Sequence, residues 1–230
     1  MRPLVLAIVG ISIWSTAQTQ SPSPHLIVPL KPLLQAFDNA KVSGSLELSG
    51  HCGVGLPPHL PHLRPPKSGA SPLQVARDVF SGDPSMQISQ DPNGTVRMIE
   101  RGTSAELLNV KIGHVSFDKN GAPLKYAAFA PGTALYYVIL QSPEILAFER
   151  ARNIQIPFVG IAGRLGTPTN DLPHLSGSMD DLTLSQALDR LLQTFPGIWA
   201  YESCPAEDKD KGLVVSFWFF SLRDPGVFAE

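Results

Sequence analysis

The side chains best suited to metal chemistry lie close together in the chain: His51, Cys52, His59 and His62. Imidazole and thiolate are the ligands zinc prefers, so a hydrolytic or other metal-dependent site is one chemistry this stretch could support. A metal site also needs ligands held in place by surrounding groups. His59 and His62 sit instead within LPPHLPHLRPPKSG, residues 56–69, a proline-dense run that favours extended polyproline II. Cys52 has a competing use. The chain holds two cysteines, Cys52 and Cys204, and in an oxidising compartment an even pair is a disulfide candidate. Two separately buried thiols are the other reading, because free cysteine is among the most buried residue types. A disulfide would withdraw Cys52 from any zinc set.

Other chemistries leave less trace. The chain has no G-x-S-x-G elbow, H-E-x-x-H pair, phosphate-binding loop or dinucleotide fingerprint. Asp180-Asp181 precedes a helical pattern, where negative charge favours the helix dipole. Glu207-Asp208-Lys209-Asp210 reads as a solvated hairpin tip. Neither carboxylate group has an identifiable acid–base partner. These observations predict a non-catalytic chain without a cofactor, with an envelope enzyme using His51, His59 or His62 as the alternative.

The ends and the composition narrow the setting. Arg2, the apolar run from Leu4 to Trp14 and the small residues Ser15-Thr16-Ala17 have the layout of a secretory signal peptide. The run is shorter than the ~20 residues a membrane span needs. Cleavage is expected after Ala17, placing the mature chain in the periplasm or outside the cell. No later stretch reaches spanning length without a charge or proline, so no transmembrane segment is expected in the mature chain. Charged residues make up 17% and the formal net charge is −2, with no Lys/Arg block. Nucleic-acid binding, which needs clustered cations, is disfavoured.

The elements that would position any site follow from periodicity and punctuation. Residues 18–36 open on a Ser/Pro stretch expected to be a flexible leader. KVSGSLELSG, 41–50, alternates as a strand. Ser71-Pro72-Leu73-Gln74 starts a helix with an N-cap, a first-turn proline and a possible capping box. MQISQ-DPNG-TVRMIE follows as a hairpin, with Met86, Ile88, Val96 and Met98 sharing one face. Asn93-Gly94-Thr95 matches a glycosylation sequon, but turn chemistry explains the same residues. ELLNVKIGHVSF, 106–117, is a strand whose apolar parity changes at Gly113, as a bulge would produce. Pro143 divides the next helical pattern, with Ser142 as the cap of the second piece. IQIPFVGIAG is a strand that Pro157 assigns to a sheet edge.

His174 to Met179 reads as a further strand. Thr183 and Gln186 then form a capping box ahead of the apolar stripe Leu184, Ala187, Leu188, Leu191, Leu192 and Phe195. Asp189 falls on the polar face of that helix. Pro196-Gly197 stops it and a strand begins at Ile198. GLVVSFWFFS, 212–221, carries apolar side chains on both faces. It reads either as a central strand covered on both sides or as an aromatic surface that a partner covers. The two halves echo one another: Val42-Ser-Gly-Ser-Leu46 matches Leu175-Ser-Gly-Ser-Met179, and Ser71, Gln74 and Pro84 match Thr183, Gln186 and Pro196. Either an internal duplication or a shared generic β-α-β grammar accounts for the echo.

The reading is an α+β fold of two small β-α-β-β-like modules, with helices packed on one face of short mixed or antiparallel sheets. The first module spans residues 37–120 with a proline-rich insertion at 56–69, and the second spans 121–230.

HLSGSMDDLTLSQALDRLL resembles the second half of the short N-terminal domain of secretins and TonB-dependent receptors. Leu175, Ser176, Gly177, Ala187, Leu188, Leu191 and Leu192 carry the match. SPEILAFERARNIQIPFVGIAG resembles that domain's first helix and strand, so the likeness covers about residues 142–220. QTFPGIWAYE departs from the family's Gly-rich turn, and no receptor plug, barrel or secretin ring domain follows. The resemblance implies a non-catalytic unit of the cell envelope that contacts another envelope protein. The partner surface expected here comprises Ile154, Ile156 and Phe158 on the edge strand and Trp218 and Phe220 on the aromatic strand.

Overall fold

A computed structural model describes residues 24–50, 60–66, 71–117, 127–157, 173–205 and 212–222. Residues 1–17, where the sequence has the layout of a signal peptide, and His51, Cys52, His59, Phe158 and the acidic stretch 207–210 lie outside the described residues. The fold is α+β. Its main sheet has six strands in the order β2-β3-β1-β7-β8-β5: β1 (Gly44–Ser49), β2 (Met86–Gln90), β3 (Val96–Glu100), β5 (Ile154–Gln155), β7 (Ile198–Pro205) and β8 (Leu213–Phe220). A second sheet pairs β4 (Lys111–Ser116) with β6 (Ser178–Thr183) in antiparallel fashion.

The two halves meet in the middle of the main sheet. β1 lies between β3 and β7 and is parallel to both, while β2–β3 and β7–β8 are antiparallel hairpins. Each hairpin follows a helix, α2 (Pro72–Val79) and α5 (Leu184–Thr194). The echo between the halves therefore holds for the helix–hairpin units. It fails for the strands ahead of them: β1 joins the main sheet, whereas β6 pairs with β4 in the other. The boundary expected near residue 120 does not separate two sheets.

Because the sheet is shared, helices cover both of its faces. Alternate residues of β7 and β8 divide between two cores. Ile198, Ala200, Trp218 and Phe220 pack with α1 (Pro24–Ala40) and α2. Trp199, Tyr201, Val215 and Phe217 pack with α5 and the β4–β6 layer. GLVVSFWFFS is thus a strand covered on both sides.

Helix α1 corrects the expectation of a flexible leader. Leu30, Leu33, Leu34 and Phe37 recur at i, i+3, i+4 and i+7, and all four are buried. Burying each such side chain contributes about 1.5–3 kcal/mol. Together they outweigh Pro29 and Pro32, each of which disfavours a helix interior by about 3 kcal/mol.

Local punctuation decides the remaining ends. Thr183 accepts from the Gln186 N–H at 3.2 Å and Gln186 Oε1 accepts from the Thr183 N–H at 2.9 Å, a complete capping box. At α2 only half of the motif forms. Ser71 accepts from the Gln74 N–H, but the Gln74 amide turns along the helix and donates to Asp78. Thr95 N–H donates to Asn93 Oδ1, so that asparagine builds the β2–β3 turn. Ser142 and Pro143 open α4 (Pro143–Arg152) after the short helix α3 (Pro131–Ala134) and a π-helical turn, Leu135–Ile139.

Two strands differ from expectation. β6 starts at Ser178, not His174, and runs on to the cap of α5. No residue is inserted at Gly113. The register stays in step from Lys111↔Thr183 to Ser116↔Ser178, and Asp181, opposite Gly113, adopts φ +55. The parity change is met by a matching bend in the partner strand. The freed Gly113 N–H donates to Glu144 Oε1 at 3.2 Å.

Candidate functional site

The expected partner surface divides in two. β5 is a margin of the main sheet: its one strand neighbour among the described residues is β8, with Ile154↔Leu213 and Gln155↔Val214. Ile154 and Ile156 are half-buried there and rest on the core beneath α5. The strand is two residues long, shorter than the expected 154–160. Trp218 and Phe220 belong elsewhere. They are 7% and 1% exposed and face the α1–α2 core. Both are core residues, which corrects their assignment to a surface; the Trp218 indole N–H has no hydrogen-bond partner among the described residues.

Of the residues that the alternative, metal-dependent reading would use, His62 is exposed in the stretch 60–66, and His51, Cys52 and His59 lie outside the described residues. Cys204 is buried on β7, and no described cysteine is free. Ser49 is in register with Ser203, and the Gly50 N–H donates to the Ser203 carbonyl at 3.2 Å. Cys52 follows Gly50 by two residues, a span of at most about 7 Å. The sheet therefore brings the chain to the neighbourhood of Cys204 just before Cys52. We expect the two to be bonded. A thiol titration of the denatured, unreduced protein should find no free thiol, and two per chain would reject the pair.

His114 and Asp180 face each other across β4 and β6, with Nδ1 and Oδ1 2.5 Å apart on an exposed surface. The hydrogen bond from His114, then one from Ser178, holds the Asp180 carboxyl below its usual range.

A polar cluster that sequence spacing does not reveal centres on Arg97. Arg97, on β3, faces the α5 side of the sheet. Its Nη1 and Nη2 donate to the two oxygens of Asp189 on α5 at 3.0 and 2.5 Å. Its Nε donates to Asp91, in the β2–β3 turn, at 2.7 Å. Trp199 Nε1 donates to the same Asp189 at 2.9 Å, and its ring centroid lies 5.8 Å from the Arg97 guanidinium carbon. Asp189 is 7% exposed. Burial alone would lower the Arg97 pKa, but hydrogen bonds and charge from Asp189, then Asp91, outweigh it and raise the value. A charge-assisted bidentate pair of this kind fixes geometry as well as adding energy. The cluster ties the first hairpin to α5 and β7. Its described members are an arginine, two aspartates and a tryptophan held to one another, the arrangement of a clamp between elements.

By spacing, Asp189 follows Leu188 outside the apolar stripe and falls on the polar face. The one available hint was Trp199, whose indole N–H requires a partner when buried. Nothing in the spacing connects Arg97 to either residue.

Glu47, on β1, lies on the same face and is 5% exposed. Its Oε1 accepts from Ser45 Oγ at 3.3 Å. Burial raises its pKa above 4.5, opposed by the Arg97 charge and the Ser45 hydrogen bond. A carboxyl whose folded pKa exceeds its unfolded value contributes stability below the unfolded value. That contribution is lost as pH rises through the folded value. Glu47→Gln should therefore raise the urea midpoint at pH 7, and the gain should shrink as pH falls toward 4. A gain that grows on acidification would contradict this sign.

Among the described residues no group of three or more His, Cys, Asp or Glu side chains is placed to hold a metal ion. No described helix is long and apolar enough to cross a membrane. No family model, curated protein or solved structure matches the chain.

Proposed function

We propose that this chain is an exported, non-catalytic binding module of the cell envelope, which engages a protein partner at the β5 margin of the main sheet. The observation that carries the reading is β5 itself. It has one strand neighbour among the described residues, and half-buried Ile154 and Ile156 sit on a firm core. An added strand at such a margin gains affinity from main-chain hydrogen bonds and specificity from alternate side-chain pockets. The resemblance of residues 142–220 to an envelope contact domain points the same way. Export rests on the N-terminal pattern of Arg2, Leu4–Trp14 and Ala17.

The test is a photo-crosslinking amino acid placed at Gln155 in the exported chain, with Gln193 on the exposed face of α5 as the control. A discrete envelope protein should be captured from position 155 and not from 193. The additional substitution Ile156→Asp should lower the thermal midpoint by removing a half-buried contact with the core beneath α5, and should abolish capture even at temperatures where the variant is still folded. Equal capture from both positions, or none from 155, would sink the reading.

A further inference from the structure

The opposite margin of the sheet carries an independent interaction surface. β2 has β3 as its one strand neighbour among the described residues. The direction of its unpaired groups follows from the hairpin's bonds. Asp91 N–H donates to the Thr95 carbonyl, and Arg101 N–H to the Ser85 carbonyl. With Gln87↔Ile99 and Ser89↔Arg97 in register between them, the odd-numbered residues of β2 exchange main-chain bonds with β3. In an antiparallel ladder the alternate residues then point their N–H and C=O groups away. Met86 N–H is turned back to the Asp83 carbonyl, which leaves Ile88 and Gln90 presenting the outer row.

Natural sheets blunt such margins with charge, proline or a bulge. β2, MQISQ, has no charge and no proline, and its register with β3 is continuous. Its faces are distinct: Met86 and Ile88 are half-buried against the α1–α2 core, whereas Gln87 and Ser89 are exposed.

We propose that β2 pairs with β2 of a second copy of this chain, antiparallel about a twofold axis at Ile88. In that register Ile88 lies opposite Ile88, Gln87 opposite Ser89, and Met86 opposite Gln90. The Ile88 groups that point outward on each copy bond to one another, and the apolar faces of the two sheets stay on the same side. β2 offers no charge to select an acidic or basic partner. A neutral strand with one apolar face is what it accepts, and that is what β2 itself is. A five-residue ladder is small for an interface, so the dimer is weak and concentration-dependent.

Two measurements on the full mature chain decide the matter. Sedimentation should show mass rising from monomer toward dimer with concentration. Gln87→Cys and Ser89→Cys chains, mixed and mildly oxidised, should cross-link to each other, because residues opposite each other in a non-hydrogen-bonded pair have Cα atoms about 4.5 Å apart. Each variant alone should cross-link far less, since a dyad at Ile88 separates identical positions. A chain that stays monomeric at every concentration overturns the proposal. So does a dimer in which the mixed pair cross-links no better than either variant alone.

Discussion

Replacing Arg97 with methionine should destabilise the fold by about 3–5 kcal/mol, the range found when one partner of a buried ion pair is removed. The loss comes less from the missing attraction than from what remains. Asp189 would keep one hydrogen bond, from Trp199 Nε1, and no counter-charge within the cluster. Asp91 would lose a restraint on the first hairpin's turn. Arg97→Met together with Asp189→Leu should recover much of the loss, because an apolar pair of similar volume leaves no buried charge behind. Urea titration of the single and double variants gives the midpoints, and an unchanged slope would show that the denatured state is not the cause. A single variant within about 0.5 kcal/mol of native, the usual range for surface changes, would mean that the clamp does not hold the halves together.

That clamp marks the limit of what the residues alone disclose. Elements with strong local grammar were legible: the capping box at Thr183 and Gln186, the turn at Asn93-Gly94, the restart at Ser142-Pro143, the stripe from Leu184 to Leu192. Each is fixed by neighbours a few positions apart. What could not be read required distant partners. Ser45 and Glu47 look like the wet side of a strand until β1 is known to lie between β3 and β7, where both of its faces are covered. Arg97 looks solvent-facing until α5 delivers Asp189. The parity change at Gly113 was visible, but its cause depended on Asp181 in a strand far along the chain. The leader segment is a different case. The stripe Leu30, Leu33, Leu34, Phe37 has helical spacing, but Pro29 just before it and Pro32 within it argue against a helix.

The aromatic strand supplies the sharpest test of surface against core. Trp218→Ser should cost about 3–5 kcal/mol, as expected for truncating a large aromatic in a core. It should not act as a selective loss of binding. The indole is buried against the α1–α2 side of the sheet beside Phe220, and its alternate neighbours Phe217 and Val215 fill the other core. Serine would leave a cavity and bring a hydroxyl into apolar surroundings. Trp218→Phe separates size from polarity. It keeps a ring on the same face and removes an N–H that has no partner among the described residues, so its effect should be markedly smaller. Chemical denaturation of both variants, read beside capture from position 155, completes the comparison. Trp218→Ser should lower the midpoint and reduce capture only in proportion to the unfolded fraction, whereas Ile156→Asp should abolish capture in chains that are still folded. If Trp218→Ser folds with a native midpoint and still loses capture, the indole faces a partner and the binding surface lies on β8.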